Sequence, residues 1–107
     1  MAKDLNKADY YDIYKPLLTE KQCWIMEMYY FSDLSLSEIS EETGITRQAA
    51  FNCIKKSEER LEELEKALSL FKKREETKAV LEKLRLSISE NNKEKSLSLI
   101  DELEKVI

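Results

Sequence analysis

A chain of 107 residues with a single glycine, Gly44, and a single proline, Pro16, lacks the punctuation that sheets need. Strands reverse direction through turns, and turns lean on Gly, Pro and Asn. This composition predicts an all-α protein and sets aside all-β and α/β folds. The length suits one small domain, or one domain with an appendage. Such a chain buries about 60–65% of its unfolded surface, which supports a modest core but not a deep catalytic cavity.

Aromatic residues bring large buried areas, and eight of the nine (Tyr10, Tyr11, Tyr14, Trp24, Tyr29, Tyr30, Phe31 and Phe51) precede residue 57, leaving only Phe71 beyond it. A helical domain is therefore expected over residues 1–71, with its core in the first half and a C-terminal helical extension over 72–107 for dimerisation or a partner. Cys23 and Cys53 lie apart in apolar surroundings, outside any CxxC, and read as reduced core residues. The opening residues alternate charge and polarity. The longest apolar runs, Cys23 to Met26 and Met28 to Phe31, are too short to span a membrane, so a cytoplasmic protein without membrane insertion is expected.

Helix boundaries can be placed from capping residues. A first helix is expected from about Leu5 to Leu17, weakened near Pro16. Thr19 with Gln22 forms a capping box that opens a second helix, expected to carry Cys23, Trp24, Met26, Tyr30 and Phe31 inward. Ser35 with Glu38 is another, opening a short helix that Gly44 ends, with Leu36, Ile39, Ser40 and Thr43 on one face. Thr46 caps a fourth helix with no breaker before Asn91 and Asn92, so a long helix is expected there.

Residues 34–57 read LSLSEISEETGITRQAAFNCIKKS. A short capped helix, a glycine, an apolar residue at Ile45, a hydroxyl cap and a second helix make a helix-turn-helix over 35–57. Gly44 supplies a left-handed turn, Ile45 plugs the angle between the helices, and small Ser40 and Ala50 let the axes approach. The core is expected to include Leu36, Ile39, Ile45, Ala50, Ile54 and Leu61. At about 100° per residue the fourth helix puts Ala50, Cys53, Ile54, Ser57, Leu61 and Leu64 on one side. Gln48, Phe51, Asn52 and Lys55 fall on the other, with Arg47 at the rim. Arg47, Gln48, Asn52, Lys55 and Lys56 are the candidate nucleic-acid-binding residues, being of the types that bond base edges or phosphates in a major groove.

Charge argues against a strong DNA binder. The net charge is −4 and the isoelectric point about 5.0, whereas dedicated DNA-binding domains usually exceed about 9. Glu59 and Glu62 turn the same helix face negative after about three turns. Some three cationic contacts imply a salt slope near −3, hence weak non-specific affinity per subunit that dimerisation doubles.

Past residue 57 the apolar positions Leu61, Leu64, Leu68 and Phe71 follow a seam spacing. Further stripes are Leu81, Leu84 and Ile88, then Ile100, Leu103 and Ile107. The seam suits either an antiparallel hairpin covering its own stripe or a homodimer whose interface is Leu61, Leu64, Leu68 and Phe71.

Catalysis is not expected. With no histidine, no glycine-rich phosphate loop and no apolar-flanked carboxylate pair, the usual bases and nucleophile activators are missing. The pairs Glu41/Glu42, Glu58/Glu59 and Glu62/Glu63 read as solvated helix faces rather than metal ligands. Neither metal nor cofactor is expected.

The segment LSLSEISEETGITRQAA resembles the helix-turn-helix of sigma factor region four. More extensively, LLTEKQ, MYYFSDLSLSEI and TRQAAFNCIK, in register from about Leu17 to Leu64, resemble the YlxM family of small Gram-positive and mycoplasma proteins. That resemblance implies a helix-turn-helix regulator encoded beside the genes of the signal recognition particle and acting on its pathway. Ala50 and Phe51 stand where that family usually has a branched aliphatic and a tyrosine, and Asn52 and Cys53 where aspartate and asparagine are frequent. Two functions follow. One is a regulator that binds DNA or RNA through the fourth helix. The alternative is a protein adaptor meeting a signal recognition particle component through its acidic helices or an aromatic surface around Tyr10, Tyr11 and Tyr14.

Overall fold

The structure, a computed structural model, describes residues 3–107. Among them the regular elements are all helical: α1 (Leu5–Tyr14), α2 (Glu20–Tyr30), α3 (Leu36–Thr43), α4 (Arg47–Leu68), α5 (Leu70–Ser89) and α6 (Lys93–Val106), with a 3₁₀ turn over Lys15–Leu17. The protein is an all-α helix-turn-helix protein. It divides into two compact units, the first ending at Leu68 and the second running from Ser69 to Ile107.

In the first unit the caps set the helix starts. The Thr19 hydroxyl accepts from the Gln22 N–H at 3.1 Å while the Gln22 amide accepts from the Thr19 N–H at 3.0 Å. Ser35 and Glu38 repeat the arrangement at 3.1 and 3.0 Å, and the Thr46 hydroxyl accepts from the Ala49 N–H at 3.0 Å. Each cap satisfies donors that a helix start leaves without partners. The Pro16 ring ends α1 at Tyr14 and converts the next three residues to the 3₁₀ turn.

α4 is the strut against which α1, α2 and α3 all pack. Its inward face closes the core: Ala50, Ile54, Ser57 and Leu61 have no exposed surface. They pack with Tyr11, Tyr14, Ile25, Met26, Tyr29 and Ile39, while Leu36 and Ile45 lie partly buried against this cluster. Buried Ser57 turns its hydroxyl to the Cys53 carbonyl, 2.8 Å away. Both thiols are free and half-buried, and burial pushes the Cys53 thiol above its ordinary pKa.

Gly44 ends α3 at φ 78°. A Cβ built there meets nothing within 4 Å, so the position needs glycine for its backbone angle alone. Gly44→Ala is expected to cost about 1 kcal/mol, the strain of a left-handed L-residue. Urea denaturation should show an earlier midpoint with unchanged slope, and Gly44→Asn should recover part of the loss.

Several expectations need correction. Trp24 and Phe31, expected inward, are 51% and 58% exposed, because α2 buries Ile25, Met26 and Tyr29 and these two lie on the opposite side. The long fourth helix breaks at Ser69, which adopts φ 54° with no glycine, proline or asparagine to announce it. Leu61 and Leu64 are closed inside the first unit's own core, so a folded unit cannot offer them to a second copy. Leu68 is exposed, and half-buried Phe71 lies past the break with the Arg74 guanidinium 5.4 Å from its ring.

The second unit is an antiparallel hairpin of α5 and α6. Asn91, at φ 57°, makes the left-handed turn, and the Asn92 side chain caps α6 by accepting from the Lys95 N–H at 3.0 Å. Beside the turn, buried Ser87 meets the Ser96 hydroxyl at 2.8 Å. Val80 and Leu99 are the buried apolar residues of this unit. Among the described residues no helix is long and apolar enough to cross a membrane.

Candidate nucleic-acid interface

The inward face of α4 is sealed by the core, and the candidate residues lie away from it. Arg47, Gln48, Asn52, Lys55 and Lys56 are all exposed and fall on its first three turns or so. Gln48 and Asn52, one turn apart, are joined by a hydrogen bond from the Gln48 Nε2 to the Asn52 Oδ1 at 3.1 Å. This bond fixes both amides on the surface and leaves one with a spare acceptor, the other with spare donors.

The cations frame this pair unequally. Arg47 lies in an open groove of about 700 Å³ with Ser35, Leu36, Ser37, Thr46, Gln48 and Phe51, where the starts of α3 and α4 converge. Lys55 lies in a second groove, about 590 Å³, with Asp4, Lys7 and the later glutamates of α4. Lys56 is turned some 100° from Lys55 and faces a third groove with Leu17, Thr19 and Gln22. The five residues thus form a central amide pair with Arg47 on one flank, Lys55 on the other and Lys56 turned away into the third groove, rather than one basic cluster. Ser35 and Ser37 join the groove although spacing along α4 gives no sign of them; the capping box at Ser35 marks the helix start that places them there.

The glutamates that follow are largely structural. Glu58 accepts from the Tyr30 hydroxyl, Glu65 accepts from the Tyr14 hydroxyl at 2.5 Å, and Glu62 pairs with the Lys7 ammonium at 2.6 Å. Their spacing of four and three residues puts them on one face of α4, where they receive groups from α1 and α2. Glu58 and Glu62 are therefore not the purely solvated positions expected from the sequence, while Glu59 and Glu63 are exposed. Burial alone would lower the Lys7 pKa, but hydrogen bonds to Glu62 and to Asp4, 3.1 Å away, outweigh it and raise the value. The same Lys7 bond holds the Glu62 carboxyl below the usual carboxylate range. Lys7 partly offsets the negative charge that would repel phosphate beyond Lys55.

Tyr11 and Tyr14, expected on an aromatic partner surface with Tyr10, are buried, and Tyr10 is half-buried against the core. The Tyr11 hydroxyl donates to Glu27 at 2.9 Å.

A capped α3, a left-handed glycine and an α4 with one sealed and one polar face define a helix-turn-helix protein. The family described as "Putative helix-turn-helix protein, YlxM / p13 like" matches residues 1–101, and the chain belongs to that family. It is 44% identical over 97 residues to a UPF0122 protein of Bacillus velezensis, covering 90% of this chain and 88% of the relative. A UPF0122 protein of Bacillus licheniformis is 46% identical over 96 residues, with the same coverage. One from Anoxybacillus flavithermus is 43% identical over 109 aligned positions, covering 99% of both chains.

Proposed function

We propose that this protein is a cytoplasmic regulator of the signal recognition particle pathway that binds nucleic acid as a homodimer through the start of α4. The observation that carries the reading is the exposed Gln48–Asn52 amide pair, flanked by Arg47 and Lys55 on a helix whose other side is sealed. Amide side chains pair with adenine in a major groove, and flanking cations hold phosphates. The pathway itself comes from the family resemblance. DNA is the favoured polymer, because a B-form major groove admits a helix whereas the A-form groove of RNA does not.

The test is a selection from random duplexes followed by Asn52→Ala. The substitution should cost about 1–3 kcal/mol on the selected site and little on unrelated DNA. Equal loss on both would contradict base reading. Exposed Trp24 on α2 and Phe31 just past its end support a second reading, a protein adaptor. That reading gains if the wild type binds neither DNA nor RNA at low salt.

A further inference from the structure

We infer that the C-terminal hairpins of two copies pair face to face into a four-helix bundle, each α5 lying on the partner's α6. This rests on the dimeric working form proposed above and names its interface. The α5–α6 seam uses one side of each helix, marked by Val80 and Ser87 on α5 and by Ser96 and Leu99 on α6. Beside that seam Leu81, Ile88, Leu97 and Ile100 remain 41–60% exposed.

Helical spacing puts these four side chains together. On each helix the exposed apolar positions follow the seam by roughly 80–100° in the direction of chain advance. The helices are antiparallel, so equal turns in chain direction lead to the same side of the pair. The Ser87–Ser96 contact sets the levels, each step forward on α5 facing a step back on α6. Leu81, Ile88, Leu97 and Ile100 then span only about 10 Å along the axis. They form one apolar patch, on a unit whose buried residues are Val80, Ser87 and Leu99. Antiparallel helix pairs with such a face are the halves of four-helix bundles.

Charge selects the occupant and its orientation. Beyond the patch, the outer flank of α5 carries Lys78 and Arg85, and the outer flank of α6 carries Glu94 and Asp101 with Lys105 beyond them in its last turn, all exposed. With a twofold axis along the bundle, α5 covers the partner's α6, and basic flank meets acidic flank. The partner's Asp101 then sits at the level of residue 82, about 4.5 Å along the axis from Arg85 and about 6 Å from Lys78. Placing α5 on the partner's α5 would instead oppose Lys78 and Arg85 to themselves, a like-charge arrangement that disfavours pairing.

Sedimentation equilibrium of the full chain at tens of micromolar tests this. The wild type should weigh twice its 12.6 kDa. Leu81→Glu with Ile100→Glu should give a monomer with unchanged helical circular dichroism, since both positions are exposed. Asp101→Lys alone should raise the dimer dissociation constant about tenfold or more at low salt, and adding Lys78→Glu and Arg85→Glu should restore it. A monomeric wild type, a dimer indifferent to the apolar pair, or the absence of charge-swap rescue would overturn the bundle. Nucleic-acid binding measured on the same samples is a separate readout. Its loss in a dimeric wild type would sink the proposed function and leave the bundle standing.

Discussion

Ala50→Glu should strongly destabilise the first unit. Ala50 has no exposed surface and lies in the core cluster with Ile39 and Ile54, which α3 and α4 contribute. A glutamate there carries a charge with no partner into the tightest part of the helix-turn-helix. The expected cost is at least about 3 kcal/mol, and at roughly 4–8 °C per kcal/mol for a domain of this size the melting temperature should fall by at least about 12 °C. Ala67→Glu, at an exposed position of the same helix, should stay within about 0.5 kcal/mol of the wild type. Equal melting temperatures for the two variants would show that α4 does not pack through Ala50.

The second large effect is expected in binding. Lys55→Glu reverses the cation beside the Gln48–Asn52 pair and adds to the carboxylates lining its groove. Binding to every nucleic-acid sequence should weaken alike, roughly tenfold or more at low salt, and the salt dependence should flatten by about one unit of slope or more. Arg47 faces the other groove, so Arg47→Ala should add to the loss in a double variant instead of being masked by it. Titrations by fluorescence anisotropy at two salt concentrations measure both quantities. A steep salt slope retained by Lys55→Glu would place the phosphate contacts elsewhere.

The parts of the fold that could be read from the sequence are those governed by neighbours within one or two turns. The capping boxes at Thr19 and Ser35, the left-handed Gly44 and the division of α4 into a sealed and a polar face are all local matters of spacing and backbone angle. The Asn91–Asn92 turn was readable for the same reason. What escaped depends on partners distant in the chain. Trp24 and Phe31 are aromatic, and composition alone draws them inward, but which side of α2 is covered is decided by where α1 and α4 lie. Lys7 and Glu62 are 55 positions apart, so the neutralising contact had no signal in either segment. The seam through Leu61 and Leu64 was real as an apolar stripe, yet a stripe does not say whether the cover comes from the same chain. Here the core of the first unit supplies it. Ser69 breaks the helix against local preference, since a serine in the left-handed region costs on the order of 1–2 kcal/mol.

Within the proposed interface, the shared exposed face of Gln48, Asn52 and Lys55 was legible from their spacing. Their arrangement was not, because an amide-to-amide hydrogen bond and three separate grooves depend on side-chain positions and on the helices that flank α4.

On the proposed reading the outward face of α4 holds nucleic acid. The most direct measurement is a titration of the wild-type protein against mixed-sequence duplex DNA and structured RNA at low and at physiological salt. Saturable binding to duplex DNA is expected at low salt, weakening with a slope of about −3 per subunit. No detectable binding to either polymer at low salt would contradict it.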